Sequence, residues 1–514
     1  MKKFPIGIQT FSKIIENNYY YIDKTPLITE LVEKGEYYFL SRPRRFGKSL
    51  LVSTLISAFK GEKELFKDLY LEKNWDWSQQ YPVIDISFGR GVFNSISTLE
   101  QRFKAILDEI ATYNALTLTQ EDLANRFIEL IQALYNTTGQ KVVVLVDEYD
   151  KPILDNIDNP EQALAMREAL KNIYSVIKDS DKYIKFVLLT GVSKFSKAGL
   201  FSGLNNLEDI TLNSDYATLC GYTEAEIKQT FTEHLHDVDF KKLRQWYNGY
   251  NFLGEKVYNP FDVLLFLKNK EFKNYWFETG SPSFLLKLVR ERQYTTPNME
   301  SIFLTEADLG SFDVNDITLE TLLFQTGYLT IESVEDLGED KLFYLKYPNR
   351  EVKASLNQYL LRDLTHTTPS EITRNRVQVY RALQAADFKM LEQSFSALFA
   401  SIPHDWHRKN QLSNYEGYYT SIVYSCFCAL GLTVIAEDST NQGQIDLTVM
   451  LNDQIFIIEF KAIAETDKQG MALAQIKAKN YQQKYLAEDK TVFLVGMEFD
   501  KQQRNLAFFE WEKA

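Results

Sequence analysis

Short runs of consecutive apolar residues alternate along this chain with longer stretches whose apolar positions recur every three or four residues. That is the signature of buried strands joined by amphipathic helices. The runs Tyr37 to Leu40, Tyr81 to Phe88, Val142 to Val146 and Lys185 to Phe195 predict strands, the third buried on both faces as in a parallel sheet. Helical spacing falls at Phe11 to Asn17, Pro26 to Glu33, Leu50 to Phe59, Ser97 to Leu134 with a break near Asn114 to Thr119, and Glu161 to Ser180. Strand and helix taking turns with long crossovers implies a three-layer parallel α/β domain, with its ligand site at the carboxyl ends of the strands.

From about Asn213 the pattern changes. Thr223 and Glu226 predict a capping box, Lys242 to Phe252 carries an aromatic cluster, and a helix is expected behind Pro260. Ile317 to Ile331 and the following KLFYLKYPN predict a helix and a short hairpin, as in a winged-helix-like module. Pro369 and its polar surroundings suggest a boundary. Beyond it the order is helix (Tyr380 to Phe399), helix (about Tyr415 to Leu430), three strands (Leu432 to Thr440, Ile445 to Leu451, Gln454 to Ala462), a helix and the strand Thr491 to Phe499. The expected division is 1–212, 213–370 and 371–514.

The turn between the first strand and its helix reads Ser41-Arg42-Pro43-Arg44-Arg45-Phe46-Gly47-Lys48-Ser49. Such a turn aims backbone N–H groups and a helix N-terminus at an anion. Lys48 is placed to reach terminal phosphates and Ser49 to put its hydroxyl on magnesium. The usual GxxxxGK[ST] pattern departs at its first glycine, where Arg42 stands; taken alone, the three arginines also fit a solvated basic turn. The buried strand ending in Asp147-Glu148 favours phosphate chemistry, with Asp147 holding magnesium and Glu148 polarising the attacking water. Asp150 and Lys151 orient the loop, and Thr190 is placed either to sense the terminal phosphate or to cap a helix.

Composition narrows the class. The chain has 514 residues, 45% of them hydrophobic, enough for two or three domains. A formal net charge of −13 argues against a general nucleic-acid coat protein, yet residues 1 to 60 carry ten Lys or Arg against five Asp or Glu. Positive charge is thus concentrated where an anion is expected. Cys220, Cys426 and Cys428 lack paired metal-ligand spacing and predict reduced, buried thiols of a cytoplasmic protein. No leader or membrane span is expected, and five scattered histidines, His404 and His407 among them, give no metal cluster.

A second set of polar residues falls at strand ends near the C-terminus. Asp446 follows a glycine turn, and Glu459 and Lys461 lie two apart on one face of an otherwise apolar strand. Buried carboxylates need a compensating cation, so Asp446 and Glu459 are candidate ligands for one or two magnesium ions, with Glu416 completing the set. Lys461 is then placed to activate water and neutralise charge on a phosphodiester, and Gln475 to orient water or backbone. A simple Glu459–Lys461 ion pair on an edge strand is the alternative.

With both constellations in view, the chain resembles the AAA-ATPase-like proteins that carry a C-terminal PD-(D/E)XK nuclease-superfamily domain. The resemblance rests on Tyr21 to Thr25, Arg42 to Ser49, Asp147 to Pro152, Trp246 to Tyr250, Tyr258 to Pro260, Gly327 to Leu329, and then Glu416, Gly443 with Asp446, Glu459 to Lys461, Gln475 and Tyr481. In that family the arginine-rich loop replaces the first glycine routinely; the PD dipeptide is here Ile445-Asp446, and Gln444 stands where relatives often have arginine. The resemblance implies an α/β fold with three parts: a P-loop NTPase domain, a helical or winged-helix-like middle module and a restriction-endonuclease-like domain. It implies nucleotide binding by Arg42, Pro43, Arg44, Arg45, Phe46, Gly47, Lys48, Ser49, Asp147 and Thr190. The cofactors implied are ATP and magnesium at both sites, with manganese also accepted at the second. The expected partner is nucleic acid, DNA before RNA, and a homo-oligomer is compatible because such sites often borrow an arginine from a neighbour. The rival is a nucleotide-regulated scaffold, or a nucleic-acid-binding protein whose nuclease-like domain is inactive.

Overall fold

The computed structural model describes residues 2–194, 206–276, 283–291, 294, 296–300, 302–310, 318–403, 416–463 and 469–514. The chain divides into two units, Met1–Thr279 with Phe303–Asn349, and Gly280–Ile302 with Arg350–Ala514.

In the first unit the apolar run at Val142 becomes a strand, Val142–Asp147, with every residue buried. Each such side chain contributes about 2 kcal/mol when taken out of water, but the backbone between them must be hydrogen-bonded along both edges. With β1 as Tyr37–Ser41, β2 as Val83–Ser87, β3 as Val142–Asp147, β4 as Ile184–Gly191 and β5 as the short Glu208–Asp209, the order is β2-β3-β4-β1-β5, all parallel. The fourth strand returns and slots between the first and third. That placement brings three strand ends together: Leu40 stands opposite Thr190, Ser41 opposite Gly191, and Val146 opposite Leu189. The helices Lys48–Phe59, Ile96–Tyr113, Leu123–Thr138 and Pro160–Asp179 follow the expected pattern, the first beginning two residues earlier than its apolar spacing indicates. Lys48 and Ser49 therefore lie in its first turn.

The rest of this unit packs around aromatic side chains. Helix Glu224–Thr230 opens with the capping box expected of Thr223 and Glu226. Glu226 also accepts from Lys24 Nζ at 2.6 Å, while Lys24 donates to the Thr218 carbonyl at 2.7 Å. Helices Phe240–Tyr247, Pro260–Asn269 and Leu319–Gln325 follow, the second capped by Asn259, whose Oδ1 accepts from the Phe261 N–H at 2.9 Å. Strands β6 (Phe303–Thr305), β7 (Thr330–Asp336) and β8 (Lys341–Lys346) make an antiparallel sheet of order β6-β8-β7.

The second unit is built on a mixed sheet. Its strands are β9 (Thr433–Thr440), β10 (Gly443–Leu451), β11 (Gln454–Ile463), β12 (Thr491–Asp500) and β13 (Asn505–Lys513), in order β13-β12-β11-β10-β9. β11 and β12 run parallel and the other pairs antiparallel. On one face Phe456, Ile458 and Phe460 pack with Phe395, Val423 and Phe427 from the preceding helices; on the other Ile455 and Ile457 pack with Leu473 and Ile476 of helix Met471–Ala478. Two expectations need correction. The helix expected over Tyr380 to Phe399 is two helices, Pro369–Ala385 and Phe388–Ala400, because Ala386 turns left-handed (φ 50°) and Asp387 caps the second by accepting from the Met390 N–H. The chain also forms strand β13, beyond the last strand that the sequence pattern predicts. Among the described residues no helix is long and apolar enough to cross a membrane.

Gly249 shows why one glycine of the aromatic cluster is required. Its φ is 121°, and a Cβ there would stand 2.0 Å from the Pro348 carbonyl oxygen. Gly249→Ala therefore meets backbone that cannot yield, and a loss of roughly 3 kcal/mol is expected, read as a lower denaturant midpoint with unchanged slope.

Candidate functional site

Two groups of candidate side chains form, one in each unit. The first surrounds the turn after β1. Gly47 adopts φ 97° at the N-cap of helix Lys48–Phe59, a left-handed conformation that suits glycine and turns the next N–H groups toward one cavity. That cavity has a volume of about 530 Å³ and is lined by Arg44, Arg45, Phe46, Gly47, Lys48 and Ser49, with Glu148, Asp150 and Lys151 opposite. Apolar residues including Ile8, Ile22, Leu51, Tyr222 and Phe261 line it as well. Size, a helix N-terminus and cationic side chains suit a nucleoside polyphosphate.

Lys48 is buried and makes no ion pair among the described residues. Its Nζ donates to the carbonyls of Arg42 (2.8 Å) and Pro43 (3.0 Å). Burial lowers the affinity of this amine for its proton, and Asp147 and Asp150 oppose that shift. Asp147 Oδ1 accepts from the Thr190 hydroxyl at 2.7 Å and from the Glu148 N–H at 3.1 Å. Glu148 sits at φ 55°, and burial, then Asp147, raise its carboxyl above the ordinary range. Asp150 is held by the Val192 and Ser193 N–H groups at 3.0 and 2.7 Å and by the Ser193 hydroxyl at 2.6 Å, fixing the two loops that follow β3 and β4 to each other.

Arg42 and Pro43 do not line this cavity. The Arg42 guanidinium is buried, donates to the carbonyls of Ser41 (2.9 Å), Thr211 (2.8 Å) and Tyr216 (3.1 Å), and lies 3.9 Å from the centre of the Phe252 ring. With Pro43 it borders a separate cavity. Other chain segments hold the same turn: Gly221 N–H donates to the Phe46 carbonyl (3.0 Å) and Trp276 Nε1 to that of Arg44 (3.1 Å). Phe46 is buried with its ring 4.7 Å from Tyr250. Thr190 touches Asp147 and is itself fully buried. Of the predicted set, Arg44, Arg45, Phe46, Gly47, Lys48, Ser49 and Glu148 thus share one cavity, with Asp147 and Thr190 bonded behind Glu148.

The second group lies on β10 and β11. Pairing of β10 with β9 is interrupted at Asp446, opposite Glu437 with its left-handed φ of 48°. Asp446 Oδ2 accepts from the Phe460 N–H at 2.8 Å, Glu459 Oε1 from the Asp446 N–H at 3.3 Å, and Glu459 Oε2 from Gln475 Nε2 at 2.7 Å. Glu459 is fully buried; desolvation, then the neighbouring Asp446, push its carboxyl well above the usual carboxylate range, and Lys461 works against that shift. Lys461 stands on the same face, opposite Glu498 of β12. Tyr481 is buried beside this group, and burial followed by Glu459 raises its phenol; its sequence signal was its place in the family pattern. Glu416 begins helix Glu416–Ala429, but its side chain lies outside the described residues. Among the described residues no three His, Cys, Asp or Glu side chains are grouped to hold a metal ion. Two carboxylates with one shared environment still suit magnesium, which takes one or two carboxylates and fills its remaining positions with water and substrate phosphate.

A parallel sheet with a lysine turn and an acidic strand end, joined in one chain to a mixed sheet with an Asp and a Glu on neighbouring strands, defines an ATPase-like protein with a nuclease-like domain. Comparison with known families agrees. A model described as "Predicted AAA-ATPase" matches residues 5–201, and one described as "PD-(D/E)XK nuclease superfamily" matches residues 414–509. A protein of Azotobacter chroococcum mcd 1, described as "Uncharacterized protein in vnfD 5'region", is 50% identical over 510 residues, 99% of this chain and 98% of that protein. The chain belongs to the AAA-ATPase-like family with a C-terminal PD-(D/E)XK nuclease-superfamily domain.

The buried acid gives a signed pH dependence. In metal-free protein Glu459 keeps its proton when folded at pH values where the unfolded chain loses it, so the folded state binds more protons and stability falls as pH rises above the ordinary carboxylate range. Glu459→Gln removes that fall. Thermal melts of the two proteins should diverge in the variant's favour between about pH 4.5 and about pH 9.

Proposed function

We propose that this protein is an ATPase coupled to a magnesium-dependent nuclease acting on DNA, its working parts being 1–212, 213–370 and 371–514. The observation that carries the first half is Lys48, buried at a helix N-terminus with only backbone carbonyls as hydrogen-bond partners among the described residues. A polyphosphate is the partner that burial of this cation lacks, and Arg44, Arg45 and the first-turn N–H groups add to the attraction. Ser49 and Asp147 are the candidates to hold magnesium there, and the metal would neutralise charge on the phosphates. Glu148 orients the attacking water; its raised proton affinity suits a group that shares a proton rather than a spectator acid.

For the second half, Asp446 and Glu459 would hold magnesium, with Glu416 as a third candidate ligand and manganese as an alternative ion. Bound metal lowers the proton affinity of water and polarises a phosphodiester. Lys461 neutralises charge developing on the phosphate, and Gln475, bonded to Glu459 Oε2, keeps that carboxylate aimed. Nucleotide state in the first domain governs access to the second through the middle segment. The competing reading, a nucleotide-regulated scaffold or an inactive nucleic-acid binder, draws on the absence of a three-ligand group among the described residues.

Purified wild-type protein should hydrolyse ATP with magnesium, and Lys48→Ala and Glu148→Gln should lower turnover at least about 100-fold; turnover unaffected by both would sink the ATP site. Asp446→Ala and Lys461→Ala should abolish divalent-dependent cleavage with thermal melts preserved. A wild type inert on every DNA form with magnesium or manganese favours the competing reading.

A further inference from the structure

The cavity holds more positive charge than Lys48, and part of it is already matched. Lys24 is paired with Glu226 at 2.6 Å and Lys151 with Asp155 at 2.6 Å. Arg44 and Arg45 line the same cavity, are exposed, and have no ion pair among the described residues. Of the two, Arg45 is the specifically placed one. Its φ is 68°, a left-handed conformation that a β-carbon makes costly. That single backbone turn lets consecutive residues go opposite ways: Phe46 is buried against Tyr250, and Arg45 is directed outward. The Arg45 guanidinium then lies 5.1 Å from the ring centre of Phe261, itself a lining residue in the first turn of helix Pro260–Asn269, where the Asn259 cap fixes the backbone. A guanidinium resting on an aromatic face is held without being neutralised.

We infer that Arg45 is a catalytic residue of ATP hydrolysis supplied within the same chain, moving from the Phe261 ring onto the terminal phosphate so that the site needs no arginine from a second copy. The inference rests on the ATPase reading above. In the step concerned, the oxygen of water bonds to the terminal phosphorus, and the bond to the bridging oxygen breaks with its electron pair remaining on ADP. The proton of water leaves by way of Glu148 to solvent. Negative charge grows on the bridging and terminal oxygens as this happens, and a guanidinium fork stabilises it more than it stabilises bound ATP. The side chain therefore acts on turnover more than on binding. Phe261 serves as the resting place that holds the guanidinium at the cavity without neutralising it.

Steady-state hydrolysis by full-length wild type, Arg45→Ala, Arg45→Lys and Arg45→Gly tests this. The glycine variant relieves the backbone, so a loss shared by Ala and Gly reports the missing charge. Wild-type specific activity should not change on dilution, kcat of the Ala and Gly variants should fall at least about 100-fold with little change in KM, and Lys should recover part of it. Arg45→Ala mixed with Lys48→Ala should give no more activity than the two separately. Wild-type kcat in Arg45→Ala, loss of specific activity on dilution, or rescue on mixing overturns the inference while leaving the ATPase reading in place; a wild type that turns over no ATP overturns both.

Discussion

Everything about the first domain depends on how a chain buries a lysine without giving it a carboxylate. Lys48 is held by two carbonyls of its own turn, and those carbonyls belong to Arg42 and Pro43, the first of which is itself fixed from outside the turn. A carboxylate in their place would satisfy the amine permanently and leave nothing for a phosphate. Carbonyls satisfy its hydrogen bonds without neutralising its charge, which Asp147 and Asp150 offset only through space, so an incoming anion still gains a direct interaction. The acids nearby are managed in a complementary way. Asp150 is satisfied by N–H groups and a hydroxyl, and Asp147 by the Thr190 hydroxyl. Neither has to pair with Lys48 to be stable.

The second domain applies the same constraint with the signs reversed. Glu459 is buried with one amide N–H and one amide side chain as partners, and Asp446 stands beside it. Two acids in one low-dielectric place cannot both be charged without a cation. Strand pairing enforces the crowding, because β10 and β11 run antiparallel and the ladder irregularity at Asp446 turns its carboxylate to the Phe460 N–H.

Local chemistry was legible in the sequence wherever the deciding residues were near one another. The apolar run ending in Asp147, the Gly47-Lys48-Ser49 turn, the Thr223–Glu226 capping box and the Glu459–Lys461 spacing each declare themselves within a few residues. What escaped was decided at long range. Arg42 read as a phosphate-facing substitute for glycine, but its partners Thr211 and Tyr216 lie 169 and 174 positions away, and nothing near Arg42 points to them. The insertion of β4 between β1 and β3 is likewise a tertiary choice. The break at Ala386 carries no glycine or proline, only an alanine forced left-handed and an aspartate cap. Strand β13 is an edge strand that pairs only with β12, and its apolar run Leu506 to Phe509 gives way to the charged positions Glu510, Glu512 and Lys513.

The two constraints meet in the proposed coupling, where occupancy of the lysine turn governs the acid pair. The most direct measurement is cleavage of labelled single-stranded, duplex and branched DNA by full-length protein with magnesium, in the absence of nucleotide, with ATP, and with a non-hydrolysable analogue. The account predicts that cleavage of at least one form changes severalfold with nucleotide state and that Lys48→Ala abolishes the response while leaving the nucleotide-free rate intact. Cleavage that is identical under all three conditions would contradict it.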